Sequence, residues 1–218
     1  MKTNNAAEPK IKFSKPAPRG DYTSLKAAMI DNYDSFTFNL VRYLKELGLI
    51  NLEVVRNDAA SAKEILGSGY DYVFISPGPS DPDHAGVCLD LVKEAAYSKT
   101  PVFGVCLGLQ CIAQAFGASI IKQMPPVHGK TSEIIHNGSD LFEQIPEVFT
   151  ATRYHSLIID EKTLPAEITV TARTRQGTIM AISHDTLPIE AVQFHPESVL
   201  TSEGHLLIEN FVRKNRPH

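Results

Sequence analysis

Cys106 stands between Gly104 and Gly108 in "PVFGVCLGLQCIAQAFG" (101–117), where an apolar run gives way to a stretch with helical character. Gly-x-Cys-x-Gly at a strand-to-helix junction has the form of a nucleophile elbow, in which a sharp turn strains and exposes the nucleophile and small neighbours remove clashes. A helix beginning at about Leu107 would turn its unpaired N–H groups and positive end toward the sulfur, favouring a thiolate and later an oxyanion. Taken alone, the segment equally accommodates Cys106 as a small buried hydrophobe, the usual state of a lone Cys in an apolar run. "AVQFHPES" adds His195 and Glu197 just after a strand, with Pro196 keeping the chain extended so that both side chains could face one site. A Cys nucleophile needs a base to take and return its proton, and that base needs an acceptor on its other ring nitrogen, so His and Glu fit the two roles. In "FISPGPS", Gly78 lies between two prolines at a strand end, a tight turn whose backbone N–H groups could form half of an oxyanion hole.

These residues need elements to carry them. From about Leu25 the chain alternates: "AAMID" reads as a short strand, and "SFTFNLVRYLKELG" as a helix with Phe36, Leu40, Val41, Leu44 and Leu47 on one face and Gly48 as its stop. "LEVVRN", "SAKEILGSG", "YDYVFISPGPS", "GVCLDLVKEAAYS", "PVFGVC", "LGLQCIAQAFG" and "ASIIK" continue strand, helix, strand. That alternation predicts an α/β fold with a mostly parallel central sheet, flavodoxin-like, helices on both faces, and chemistry gathered beyond the carboxyl ends of the strands. After Pro125, "FTATRYHSLII", "EITVTARTR", "TIMAISHD" and "IEAVQFH" are β-rich, predicting antiparallel strands or hairpins at one edge in the C-terminal half. "SEGHLLIENFVRKN" reads as a closing helix that Thr201 or Ser202 could cap.

The composition narrows the partners. With 218 residues, 43% hydrophobic and 21% charged, the chain suits one soluble domain over 25–218. A net charge of −4 provides no electrostatic footprint for nucleic acid or for an anionic membrane, and neither is expected. Three cysteines without a CxxC pair argue against a disulfide framework or structural zinc and suit a reducing cytosol, so the expected location is cytoplasmic. No segment is apolar for long enough to span a bilayer. Residues 1–24 read as a flexible, solvated N-terminal arm; their few acidic residues admit a transit peptide, but they are poor in Arg and lack an amphipathic period. Cys88 and Cys111 fall within helical patterns and are assigned to the core. His84, His136, His184 and His205 are isolated and lack metal-ligand spacing, so they read as surface or loop residues and no metal site is expected. Asp31, Asp34 and Ser35 suit a turn and helix cap, while His128 and Lys130 alone would be an ordinary polar loop.

Six motifs in order, "IDNYDSFT", "SPGPS", "FGVCLGLQ", "HGKTS", "RYHSL" and "VQFHPES", resemble the triad-type (class I) glutamine amidotransferases, specifically the glutaminase components of anthranilate and aminodeoxychorismate synthases. The resemblance runs from about Ala27 to Asn215. It implies Cys106 as nucleophile, His195 and Glu197 as its triad partners, and the Gly78 and Leu107 backbone as oxyanion hole. It further implies a glutamine site formed by Gly78, Pro79, Ser80, Gln110, Tyr154, His155, Ser156 and Leu157. The implied activity is hydrolysis of L-glutamine through a Cys106 thioester, with ammonia delivered to a separate chorismate-binding synthase subunit. No cofactor is implied in this chain, Mg²⁺ being expected in the synthase. "DNYDSFT" and "PVHGKTS" look like family segments near the synthase contact. Two positions depart from the family pattern: Ser80 where "PGPG" is common, and Ala191 where a Gly is frequent. A stand-alone γ-glutamyl or other amide hydrolase and a non-catalytic regulatory module of the same fold are the competing classes. The intact Cys106, Gln110, His195 and Glu197 set speaks against the latter, and the anthranilate-type motifs against the former.

Overall fold

The computed structural model describes residues 18–217. Its elements are β1 (Lys26–Asp31), α1 (Thr37–Glu46), β2 (Asn51–Arg56), α2 (Ala62–Gly67), β3 (Tyr72–Ile75), α3 (Cys88–Ser98), β4 (Val102–Val105), α4 (Leu107–Ala115), β5 (Ile120–His136), β6 (Val148–Ile159), β7 (Ile168–Thr174), β8 (Ile179–His184), β9 (Ile189–Val192) and α5 (Gly204–Lys214). They build one nine-stranded sheet in the order β2-β1-β3-β4-β9-β8-β7-β5-β6. The first five are parallel and the rest antiparallel, as the flavodoxin-like expectation with an antiparallel addition requires.

Period-two alternation of buried side chains makes the three layers. Ala27, Met29, Tyr72, Phe74, Phe103, Val105 and Val192 face a core closed by Leu40, Val41 and Leu44 of α1 and Leu207, Phe211 and Val212 of α5. Ala28, Ile30, Val73, Ile75, Val102, Ile189 and Ala191 face the other core, closed by Ile65 of α2, Leu91 and Val92 of α3, and Leu109 and Ile112 of α4.

Four details differ from the expectations. β9 is not an edge strand: it pairs parallel with β4 and antiparallel with β8, so it joins the two halves of the sheet. "PVHGKTS" is not a loop but the middle of β5, which reaches 17 residues by passing register shifts at Lys122/Val127 and His128/Lys130. Neither Thr201 nor Ser202 caps α5, whose N-cap is Glu203; Thr201 Oγ1 instead donates to the His195 carbonyl at 2.7 Å. The arm expected over 1–24 lies outside the described residues up to 17. From Arg19 the chain packs on the domain, with Tyr22 1% exposed in the first core and Arg19 bonded to Glu209 and Asn210 of α5.

The sheet also curls. Its last strand, β6, returns to the segment that follows β9, where the His195 N–H donates to the Thr152 carbonyl at 2.9 Å. Residues distant in strand order thereby meet beyond the carboxyl ends of β3, β4 and β9. Among the described residues, no helix is long and apolar enough to cross a membrane, and no cluster of His, Cys, Asp and Glu is arranged to hold a metal.

Candidate active site

Cys106 is the hinge between β4 and α4, held at φ 54° and ψ −100°. A non-glycine residue at such a φ is strained and persists only where its surroundings over-determine it. Here its N–H is tied to the Val192 carbonyl at 2.8 Å, and α4 is pressed onto the sheet. That pressing is why both flanking residues are glycine: a Cβ on Gly104 would lie 2.6 Å from the Gly108 carbonyl carbon, and one on Gly108 2.5 Å from the Ile75 oxygen. Leu107 is the first residue of α4, so its N–H has no intrahelical acceptor and joins the positive end of the helix beside the sulfur.

His195 and Glu197 are 2% and 1% exposed, and the His195 Nδ1 to Glu197 Oε1 distance is 2.6 Å. The edges and faces of Phe36 and Tyr154 enclose the imidazole, with ring centroids 5.6 and 5.3 Å from it. Burial pulls the His195 pKa down, but Cys106 and Glu197 outweigh burial and hold it up at about 10, so the ring keeps its proton through neutral pH. In the free chain His195 Nε2 makes no hydrogen bond, the thiol being oriented to the Tyr154 carbonyl, 3.7 Å away, so the contact that holds the ring is the one to Glu197. Geometry decides which contact is made in the free chain, and catalytic hydrogen bonds often tighten only when substrate is bound.

A cavity of about 180 Å³ opens in front of the sulfur. Its lining includes all the residues that the sequence assigns to the oxyanion hole and glutamine site: Gly78, Pro79, Ser80, Leu107, Gln110, Tyr154, His155, Ser156 and Leu157, with Cys106 at its floor. The wall from β6 is cross-tied by hydrogen bonds. The Arg153 Nε donates to His155 Nε2 at 3.0 Å, so His155 must donate from Nδ1 to the Leu157 carbonyl, also at 3.0 Å. Burial, and next the neighbouring Arg153 guanidinium, push the His155 pKa down to about 4, keeping that ring neutral. Ser80 occupies the left-handed region at φ 68°, the conformation that a glycine would adopt freely.

Three residues of the site were not singled out for it in the sequence. His128, from the bulged middle of β5, lines the cavity. Phe36 lies over the imidazole. Gln193, fully buried, places Nε2 3.6 Å from Cys106 Sγ and Oε1 3.3 Å from Gln110 Nε2. All three fall inside motifs that carry the family resemblance, "HGKTS", "IDNYDSFT" and "VQFHPES", but their side chains alone carry no signature that assigns them to the site. Cys88 and Cys111 are buried, as expected, away from the cavity lining. His84, His136, His184 and His205 also lie outside that lining; His205 is bound to Glu46 at 2.9 Å and stacks on Tyr43, so it serves helix packing. A larger cleft of about 420 Å³ lies at the amino ends of the strands, between Tyr70 and Arg216. It has no thiol or imidazole, and its Lys214 is engaged by buried Glu190 at 3.1 Å.

The arrangement supplies a cysteine sulfur, an imidazole and a carboxylate in series, backbone donors at a helix start, and a cavity sized for a small molecule. Comparison with known proteins agrees with that chemistry. The family model for glutamine amidotransferase class-I matches residues 28–215. The chain is 53% identical over 188 residues to an aminodeoxychorismate/anthranilate synthase component 2 of Bacillus subtilis, covering 86% of this chain and 96% of that one. It is 49% identical to an anthranilate synthase component 2 of Azospirillum brasilense (86% and 95% covered) and 47% identical to an aminodeoxychorismate synthase component 2 of Klebsiella aerogenes (85% and 98%). Among solved structures, a Thermoplasma acidophilum protein described as belonging to GMP synthase superposes with a TM-score of 0.75 at 30% identity, covering 88% of this chain and 94% of that one.

Proposed function

The chain belongs to the class-I glutamine amidotransferases, and on that premise we propose that it is the glutaminase component of a chorismate-using synthase, with Cys106, His195 and Glu197 as its triad. The observation that carries the residue assignment is the elbow: a strained Cys106 at the start of α4, beside a buried His195–Glu197 pair 2.6 Å apart, facing the cavity.

Glutamine enters side chain first, with its α-amino and carboxylate groups against the Tyr154–Leu157 backbone and its amide over Cys106. Sulfur, having ceded its proton to His195, attacks the amide carbon; the C–O π pair moves onto oxygen and is met by the Gly78 and Leu107 N–H groups. Collapse of the tetrahedral intermediate breaks the C–N bond. His195 protonates the departing nitrogen, which leaves as ammonia, and Glu197 holds the ring so that Nε2 faces the reaction. Water, deprotonated by the now neutral His195, adds to the thioester carbonyl, and breaking the C–S bond releases glutamate and restores the thiolate–imidazolium pair. Ammonia loses its nucleophilicity if it reaches bulk water and becomes ammonium, so the synthase must receive it directly. The names of the relatives, each a component 2, support a two-chain assembly.

The test is reconstitution with each candidate synthase, chorismate, glutamine and Mg²⁺, the metal being assigned to the synthase, followed by identification of the aromatic amine. Anthranilate, aminodeoxychorismate or both are the expected products. Rapid glutamine hydrolysis by the isolated chain, unaltered by either synthase, would instead identify a stand-alone amide hydrolase.

A further inference from the structure

We propose that Gln193 is the residue that stabilises the reactive form of the Cys106 sulfur, and that it ties the nucleophile to the glutamine-binding wall through Gln110. The inference rests on the reading of Cys106 as nucleophile. Gln193 follows β9 directly, its N–H is bonded to the Met180 carbonyl at 2.8 Å, and its side chain is 0% exposed, so the amide has no water to turn toward.

The direction of the amide follows from its neighbours. The Leu157 carbonyl can only accept, so Gln110, 3.3 Å away, must present Nε2 to it. The same Nε2 lies 3.3 Å from Gln193, which must therefore present Oε1. That leaves Gln193 Nε2 aimed at Cys106 Sγ, at 3.6 Å. Turning either amide over would set oxygen against oxygen at Leu157 or nitrogen against nitrogen between the glutamines. An N–H directed at sulfur in a buried site favours the anion, because hydrogen bonds to a charged acceptor are stronger than those to a neutral one. Mechanistically, Gln193 donates to sulfur from the side of β9 while His195 holds the proton that sulfur releases. The Leu157 carbonyl and the sulfur are thereby linked through the two amides.

Two variants test this. Gln193→Met keeps the volume and removes both the donor and the acceptor, so it isolates the lost N–H; Gln193→Glu keeps an acceptor for Gln110 and, when ionised, replaces the donor by a like charge beside the sulfur. Each is compared with the native chain for the rate at which iodoacetamide alkylates Cys106 at neutral pH, located by peptide mapping, with the thermal unfolding midpoint as a check of folding. Alkylation is expected to slow about tenfold or more in both variants, the loss of a hydrogen bond to a charged group. For glutamine turnover, kcat should fall by a similar factor, while KM holds steadier in Gln193→Glu than in Gln193→Met, where Gln110 loses its partner. Alkylation at the native rate in folded variants overturns the proposal. The alkylation rates decide it whether or not the native chain hydrolyses glutamine, so failure of the proposed reaction and failure of this inference are separately visible.

Discussion

Three thiols lie within the same fold, and their surroundings separate them. Cys88 is 0% exposed and donates to Asn32 Oδ1 at 3.2 Å. Cys111, equally buried, has its pKa pushed well above the usual thiol value, first by its hydrogen bond with Cys88 and then by burial, so it remains protonated and inert. Cys106 alone combines a helix start, an imidazolium neighbour and a cavity. A diazo-ketone analogue of glutamine is therefore expected to label the native chain once, at Cys106, with excess glutamine slowing the labelling. Mass spectrometry of the digested protein reads the site, and label on Cys88 or Cys111 in the folded chain would sink the elbow assignment. Ser80 belongs to this scale too. It lines the cavity at a φ of 68°, which costs on the order of 1 kcal/mol relative to glycine.

β6 supplies one wall of the cavity, tied by the Arg153–His155–Leu157 hydrogen bonds. Because His155 titrates at about 4 when folded and near its ordinary 6.5 when unfolded, the unfolded state binds the extra proton between those values. Stability contributed by the neutral ring is thus complete above about pH 6.5 and is lost as pH falls toward 4, by at most roughly 3 kcal/mol. Urea unfolding at pH 7 and at pH 4 should show the native chain losing more stability over that interval than His155→Asn; parallel losses would mean that the ring is not held neutral. Carboxylates lowered by their partners, such as Glu133 beside Arg175, destabilise both chains alike in acid, and the difference cancels them. The parallel half of the sheet was legible because each strand is a short apolar run followed by an amphipathic helix. β5 was not, since its polar middle is exposed and its bends come from register shifts that no residue type announces. β9 misled for a different reason: "IEAV" is buried at all four positions, the mark of a central strand, but its neighbours in sequence belong to the antiparallel group. Cys106, His195 and Glu197 were legible as candidates from chemistry and spacing, whereas Gln193 was hidden, because an amide gains meaning only when Gln110 and Cys106 close around it.

At the scale of the whole molecule, the domain separates ammonia production from ammonia use. The sulfur and imidazole sit under Phe36 and Tyr154, at the side where the turn after β1 and the curled β6 meet. Asp31 and Asp34 brace that turn by accepting from the Tyr33 and Phe36 N–H groups at 3.0 and 2.7 Å, which fixes the aromatic cover. A synthase docked there would take ammonia as it leaves. Cys106→Ala tests the separation. The change deletes one sulfur atom from a residue whose backbone is held by β4 and α4, so folding and docking should survive. Glutamine-dependent amination should fall on the order of 10³ or more, because losing the nucleophile removes the covalent route. The assembled complex should nevertheless aminate chorismate when supplied with concentrated ammonium salt at mildly alkaline pH, where free ammonia is appreciable, since the synthase chemistry never involves the thiol. His195→Ala should behave the same way, and Glu197→Ala more mildly, as it orients the base rather than carrying the proton. Amine formation is followed with each nitrogen source in turn. Retention of glutamine-dependent activity by Cys106→Ala would refute the thioester route, and loss of the ammonia-dependent reaction in an intact complex would show that this chain also shapes the synthase active site.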